Sequence, residues 1–194
     1  MNTKNLVEFL GLIGKLKQNT RHIWSENNRQ ESVAEHCWRL SVMALLIADE
    51  FPAVDINKVV KMCLIHDFGE ALTGDIPSFY KTKQHEEAED LAINDLLNRL
   101  PDDLSKEFSE LFLEMSAMKT EEAKLFKALD NLEAIISHNE SPLETWIDLE
   151  YSENLTYGTD NTAYSEYLSI LRAELKQDSI NKIKEGEQTW TLQK

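Results

Sequence analysis

Two histidines and two aspartates are the side chains with the clearest potential for chemistry in this sequence. His66 and Asp67 are adjacent, His36 precedes them, and Asp130 follows. Imidazole nitrogens and carboxylate oxygens together suit a borderline divalent metal ion, and two carboxylates balance the charge of that ion. Helical spacing alone cannot bring the four residues together. They therefore predict a metal site on the condition that the fold makes them converge.

Each of these residues also has an ordinary structural interpretation. An isolated His66–Asp67 pair is typical of an interior histidine that is hydrogen-bonded to its neighbour. Asp130 can form an exposed ion pair with Lys127 at helical spacing, which contributes little to stability. The residues alone leave both interpretations open.

The two cysteines lie close to the histidines along the chain. Cys37 follows His36, and Cys63 precedes His66 by less than one helical turn. Both fall on apolar helix faces, where small buried thiols are common. Because zinc–thiolate sites usually contain closely spaced cysteine pairs, we expect neither thiol to ligate the metal. Their spacing also argues against a disulfide-stapled secreted scaffold, so we expect a cytoplasmic protein.

The segment that carries His36 has the pattern of a capped helix. Ser32 and Glu35 are spaced as a capping box, with Ser32 as the N-cap residue. We expect this helix to end near Phe51, since Pro52 disfavours helical geometry in the residue before it. The apolar residues at helical spacing that should face the core are Val33, Cys37, Leu40, Ala44 and Ile47.

The remaining pattern predicts an all-α fold in a single domain that spans residues 1–194. Gly and Pro are scarce and strict apolar–polar alternation is nearly absent, which argues against a hairpin-rich fold. A second helix should start after Asp55 or Asn57 and end at Gly69, followed by a loop over 73–83. Residues 141–162 cannot be assigned. The further predicted helices cover residues 85–100, 103–118, 121–138 and 164–184.

Composition and charge exclude several classes of protein. The chain has 194 residues and a formal net charge of −15, from 20 basic and 35 acidic side chains. Because polynucleotide affinity comes largely from Lys and Arg, this balance argues against binding a nucleic-acid polymer. No apolar run reaches the ~18 residues of a membrane span. Glu8 interrupts the apolar N-terminal segment, which argues against a signal peptide.

The order His36, His66-Asp67, Asp130 resembles the H…HD…D signature of the HD-domain phosphohydrolase superfamily. Three segments around these residues resemble its 5′-deoxynucleotidase branch more specifically. The resemblance extends over residues 21–139. The three segments are ESVAEH at 31–36, HDFGEALTGDIP at 66–77 and KALDNLE at 127–133.

This resemblance implies an HD domain that holds one divalent metal ion through His36, His66, Asp67 and Asp130. The implied metals are cobalt, manganese or zinc, with magnesium less favoured. The implied reaction is hydrolysis of a nucleoside 5′-monophosphate, preferentially the 2′-deoxy form, to a nucleoside and phosphate. His85 is the one histidine between Asp67 and Asp130, which favours a mononuclear site.

The resemblance also gives candidate roles to residues outside the ligand set. Glu70 is the candidate general acid for the leaving 5′-oxygen, and Asp75 is the candidate for orienting or deprotonating the attacking water. Arg21 suits a phosphate clamp, because a guanidinium is a planar fork of donors. Either His22 or Trp24 faces the sugar, since the alignment with the family is ambiguous here. Trp24 as a core or interface anchor is the alternative.

Two other functions compete with that of a 5′-deoxynucleotidase. Another HD phosphohydrolase would act on dNTPs, a cyclic nucleotide or the stringent-response alarmone. A non-catalytic, metal-stabilised helical adaptor would use its acidic surface to bind a protein partner. The resemblance implies a homodimer, and two-fold pairs are also the commonest soluble assembly. The aromatic residues that we consider for its interface are Trp38, Trp146 and Tyr151.

Overall fold

Helices make up most of the chain, as the sequence predicts. The computed structural model describes residues 1–25 and 27–192, and within them the strands form one hairpin, β1 (Thr20–Trp24) with β2 (Gln30–Ser32). The predicted all-α class is therefore confirmed. The helices are α1 (Thr3–Ile13), α2 (Val33–Leu46), α3 (Ile56–Ile65), α4 (Glu70–Thr73), α5 (Lys83–Leu97), α6 (Asp102–Ala117), α7 (Glu121–Glu140), α8 (Glu150–Thr156), α9 (Thr159–Thr162) and α10 (Glu166–Leu192).

The chain divides into two compact units. The first unit contains residues 1–22 and 31–126, and the second contains residues 23–30 and 127–194. The boundaries fall within β1, within β2 and within α7. The single domain over residues 1–194 stays a prediction. Among the described helices, none has the length and apolar character needed to cross a membrane.

Helix α2 begins as its sequence predicts. The Ser32 hydroxyl accepts a hydrogen bond from the Glu35 N–H, and the Glu35 carboxylate accepts one from the Ser32 N–H at 2.8 Å. Both halves of the capping box are therefore present. All five residues of the predicted apolar stripe are buried, at 7% exposure or less. The helix ends at Leu46, before the predicted end near Phe51. A separate 3₁₀ turn covers residues 48–50.

Helix α3 packs against α2 and carries the His66–Asp67 pair directly after its last residue. It begins at Ile56 and ends at Ile65, so the predicted end at Gly69 is wrong. Gly69 has ordinary helical backbone angles and does not stop the helix by a left-handed conformation. It allows a close approach instead, because a Cβ there would lie 2.8 Å from the Cγ of Glu89 on α5.

In the second unit, the stretch that the sequence cannot assign contains short helices around a buried tryptophan. Residues 141–162 form a 3₁₀ turn, α8 and α9. The indole N–H of Trp146 donates to the His138 carbonyl at 3.0 Å. Helix α10 packs against α8 and α9. Its buried Arg172 donates to backbone carbonyls at the end of α8, which caps that helix.

The sequence did not predict α1 or the β-hairpin. The strands are five and three residues long, which is too short for an alternating pattern to be recognised. At the turn, the Ser25 N–H donates to the Arg29 carbonyl at 2.8 Å, and Asn28 has a φ of 58°. Asparagine tolerates this left-handed conformation better than most residues.

Candidate active site

Three of the four predicted metal ligands lie close together in the first unit. One ligand atom from each of His36, His66 and Asp67 lies within 4.8 Å of the other two. The Oδ2 of Asp67 is 3.0 Å from the Nε2 of His66 and 4.0 Å from the Nε2 of His36. The two imidazole rings meet edge to face, with centroids 5.3 Å apart. Two imidazoles and a carboxylate fit a borderline divalent ion.

The backbone around His66 fixes which ring nitrogen points into this cluster. The Nδ1 of His66 lies 3.0 Å from the carbonyl oxygen of Cys63, which can only accept. In the neutral ring, Nδ1 therefore carries the hydrogen and Nε2 keeps the lone pair that a metal requires. Burial lowers the pKa of His66, but the Asp67 carboxylate raises it well above its usual value. A site that stabilises positive charge on an imidazole can equally stabilise a metal cation.

Asp130, the fourth predicted ligand, lies on α7 in the second unit. Its carboxylate accepts a hydrogen bond from the Nζ of Lys127 at 2.8 Å, as their helical spacing suggests. The side chain of Asp130 is 17% exposed, so it is not the well-solvated surface carboxylate of the alternative interpretation. Its participation in metal binding stays a prediction.

Both cysteines are buried, as their apolar helix faces predict. The Sγ of Cys37 lies 4.0 Å from the Oδ2 of Asp67. Burial raises the pKa of the Cys37 thiol, and His66 lowers it only in part. A raised pKa favours the neutral thiol, which is a poor metal ligand.

Glu70 begins α4 and is buried beside the ligand cluster. The residue is 5% exposed, and its Oε2 atom has no hydrogen-bond partner among the described residues. Burial and the carboxylates of Asp67, Asp75 and Glu89 raise the pKa of Glu70 to about 9, against an opposing effect of Lys81. This raised pKa favours the protonated form of Glu70 at neutral pH. A buried carboxyl group that holds a proton at pH 7 has the property of a general acid.

Asp75 lies in the loop after α4 and interacts with two residues of β1. The preceding Gly74 has a φ of 80°, which glycine adopts without steric cost. Burial raises the pKa of Asp75, whereas Arg21 and His22 lower it in part. The Nη1 of Arg21 also donates to the Oε2 of Glu31 at 2.9 Å. The fold thus brings a guanidinium and a catalytic carboxylate candidate into electrostatic contact.

The two candidates for the sugar contact both lie on β1. His22 belongs to the first unit, and its ring meets that of Phe79 with centroids 5.3 Å apart. Trp24 belongs to the second unit and is half-buried. Both assignments stay predictions.

The ion pair of Lys81 with Glu89 is a part of the site that the sequence did not identify. The Nζ of Lys81 pairs with the Oε2 of Glu89. One carboxylate oxygen from each of Asp67, Glu70 and Glu89 lies within 4.8 Å of the other two. The signal for this contact is Gly69, whose missing side chain lets α5 approach.

His85 has a structural role at the start of α5. Its Nδ1 accepts a hydrogen bond from the Thr82 N–H at 3.3 Å, and the Thr82 hydroxyl accepts one from the His85 N–H at 3.4 Å. This capping box accounts for the histidine without a second metal ion.

Comparison with known proteins identifies the family. The family described as HD domain matches residues 13–171 of this chain. The chain belongs to the HD domain family. A 5′-deoxynucleotidase HDDC2 from Bos taurus is 38% identical to this HD domain over 141 residues, which are 71% of this chain and 68% of the bovine protein.

Solved structures share the fold of this HD domain. A predicted metal-dependent phosphohydrolase from Magnetospirillum magnetotacticum has a TM-score of 0.76 and 29% identity, over 92% of this chain and 93% of that one. The cyanophage S-2L HD phosphohydrolase DatZ, bound to dA and one catalytic Zn²⁺ ion, has a TM-score of 0.58. It is 18% identical and covers 95% of this chain and 98% of its own, so this likeness concerns the fold alone.

Proposed function

We propose that this protein is a metal-dependent 5′-deoxynucleotidase, which hydrolyses deoxynucleoside 5′-monophosphates to a deoxynucleoside and inorganic phosphate. The observation that carries the proposal is the convergence of His36, His66 and Asp67, with the buried Glu70 carboxyl group beside Asp67. A proton donor beside a cation site is what cleavage of a phosphate ester needs. The bovine relative is named as an enzyme of this kind.

We propose that His36, His66 and Asp67 hold one divalent ion, with Asp130 as the fourth ligand. The family resemblance implies cobalt, manganese or zinc, and the two imidazoles favour cobalt or zinc over magnesium, which prefers oxygen ligands. When bound, the ion supplies Lewis acidity to the phosphoryl group.

The other residues of the site bind the phosphate and move protons. Arg21, held by Glu31, donates to the phosphate oxygens. Asp75 orients the attacking water and accepts its proton as the water oxygen bonds to phosphorus. Glu70 gives its proton to the 5′-oxygen as the bond between phosphorus and that oxygen breaks. A loose phosphoryl transition state depends mainly on such positioning and on nearby cations.

Identification of the reaction products tests this function. The four common deoxynucleoside monophosphates and their ribose counterparts are incubated with the protein and with cobalt, manganese, zinc or magnesium. We expect one phosphate for each nucleoside, with faster release from the deoxy forms. No turnover of any monophosphate would contradict the proposal. Tripolyphosphate from a dNTP, a linear product from a cyclic nucleotide or pyrophosphate from an alarmone would support another HD phosphohydrolase.

We also propose a homodimer that lies in the cytoplasm and binds neither membrane nor nucleic-acid polymer. Trp38 on α2 is 65% exposed and available to an interface, whereas Trp146 is buried and Tyr151 is 36% exposed. Light scattering after size-exclusion chromatography tests the assembly, and a monomer mass at all concentrations contradicts it. Fractionation of cells that express the tagged chain tests the location.

A further inference from the structure

We propose that Phe79 and Tyr80 form an aromatic corner on which the nucleobase of the substrate stacks. The aromatic corner consists of these two residues, which lie in the 3₁₀ turn Ser78–Tyr80. The inference rests on the proposed function, because it adds a base subsite to the proposed phosphate site.

The rings of the aromatic corner are held by edge-to-face contacts. The Phe79 ring lies 5.3 Å from that of His22 at an interplanar angle of 83°, and 4.6 Å from that of Tyr80 at 73°. Such contacts are favourable for aromatic pairs and orient a ring without stacking on its faces. Tyr80 remains 62% exposed. The turn therefore presents an oriented aromatic surface to solvent.

The aromatic corner is tied to the candidate active site on both sides. His22, which meets Phe79, also lowers the pKa of Asp75. Lys81, which follows Tyr80, pairs with Glu89 beside Glu70. We therefore place the base of a substrate whose phosphate lies at Arg21 on the aromatic corner, which belongs to the same unit.

The chemistry of this surface suits the uncharged end of a nucleotide. An exposed tyrosine by itself is ordinary and needs no ligand. Here, however, Lys81, the cation that directly follows the turn, is paired with Glu89, so the neutral aromatic face is the distinctive feature. Stacking tolerates different bases because every base has a π-face. The aromatic corner thus predicts an enzyme that accepts several bases and binds purines more tightly than pyrimidines.

Binding of deoxynucleosides without phosphate tests the aromatic corner independently of catalysis. Calorimetric titration of the protein with deoxyadenosine should give an affinity that Tyr80→Ala reduces about 10-fold, within the range for loss of a stacked ring. Tyr80→Phe keeps the ring and should keep the affinity. Leu91→Ala, which truncates an exposed side chain on α5, should leave it unchanged. No measurable binding by the wild type, or equal binding by Tyr80→Ala, would overturn the proposal.

A substrate without a base separates stacking from a general effect on the loop. Tyr80→Ala should lower kcat/KM about 10-fold for deoxyadenosine monophosphate and should leave that for 2-deoxyribose 5-phosphate unchanged. An equal loss on both substrates would mean that Tyr80 positions the loop, which overturns the base subsite. If no monophosphate is hydrolysed but deoxyadenosine binds through Tyr80, the proposed function fails and the aromatic corner stands. If deoxynucleotides are hydrolysed equally well by Tyr80→Ala, the aromatic corner fails and the function stands.

Discussion

The second unit buries His138 beside Glu150, and backbone groups surround this pair. The Nδ1 of His138 donates to the Ala134 carbonyl at 2.9 Å, and its Nε2 lies 2.8 Å from the Oε1 of Glu150. The other oxygen of Glu150 accepts from the Ile147 N–H at 2.8 Å. Polar atoms of both side chains thus have hydrogen-bond partners within the second unit. Such satisfied polar groups are typical of a structural pair.

The first unit buries a histidine–carboxylate cluster of another kind. The Nε2 atoms of His36 and His66 both lie near one oxygen of Asp67, and Glu70 adds a buried oxygen without a described hydrogen-bond partner. His66 contacts a backbone carbonyl and a carboxylate, as His138 does, but here a second imidazole lies near the same carboxylate. The comparison teaches that burial alone does not distinguish a structural pair from a site. The second imidazole at the same carboxylate oxygen and the buried acid oxygen without a described partner do.

Substitution of a metal ligand should have the largest effect and should separate the two clusters. We expect Asp67→Asn to lower phosphate release by about 10³-fold, since metal-ion catalysis contributes several kcal/mol. Elemental analysis should find the variant depleted of metal. Asp95→Asn, at an exposed carboxylate on α5, is the matched control. Full metal content and activity in Asp67→Asn would remove the distinction between the clusters.

Removal of Glu150 should act on stability and not on metal binding. Removing one partner of a buried hydrogen-bonded pair leaves the other unmatched, so we expect Glu150→Ala to reduce the free energy of unfolding by about 3 kcal/mol. Urea denaturation measures this change. Metal content per folded chain should stay at the wild-type value. Loss of metal from the folded variant would show that this pair also serves the site.

Removal of the proton at Glu70 should reduce activity with the metal still bound. Because general acid catalysis contributes at least about 10²-fold, we expect Glu70→Gln to lower kcat by that factor. The pH profile of the wild type should fall as pH rises through about 9, where Glu70 loses its proton. A variant that keeps the wild-type rate would exclude Glu70 as the acid.

The same substitution should also remove a pH-dependent contribution to the stability of the metal-free protein. The pKa of Glu70 is raised from 4.5 to about 9 by folding, so its contribution is fully present below pH 4.5 and is lost as pH rises to about 9. The metal-free wild type should therefore lose stability relative to Glu70→Gln over this range, by at most about 1.4 kcal/mol per pH unit. If the free energies of unfolding of the two proteins differ by the same amount at every pH in this range, the pKa of Glu70 is not raised by folding.

Local patterns account for what the sequence predicts well. The capping box of Ser32 and Glu35 and the stripe along α2 depend on residues within a few turns, and both are found in the structure. The approach of Glu89 to Glu70 depends on how α5 packs, which no local pattern encodes. Gly69 illustrates the difference, because local sequence predicts a helix stop there whereas the structure shows that it makes room for α5.

The metal ligands could not be predicted from the spacing of residues alone. The order of the motifs resembles a known family, and that resemblance, together with the residue types, selected His36, His66 and Asp67 in advance. Their convergence within 4.8 Å comes from the packing of α2 against α3, which the residues alone could not establish. Asp130 lies in the second unit. Its predicted role as a ligand can be tested only by an experiment with bound metal.

Diffraction at the cobalt absorption edge, from crystals grown with Co²⁺, tests the central claim most directly. We predict one anomalous peak per chain at about 2.0–2.2 Å from the Nε2 atoms of His36 and His66 and from an oxygen of Asp67, the usual range for such ligands. An oxygen of Asp130 should complete the set. A peak at other side chains, or no bound cobalt, would contradict the account.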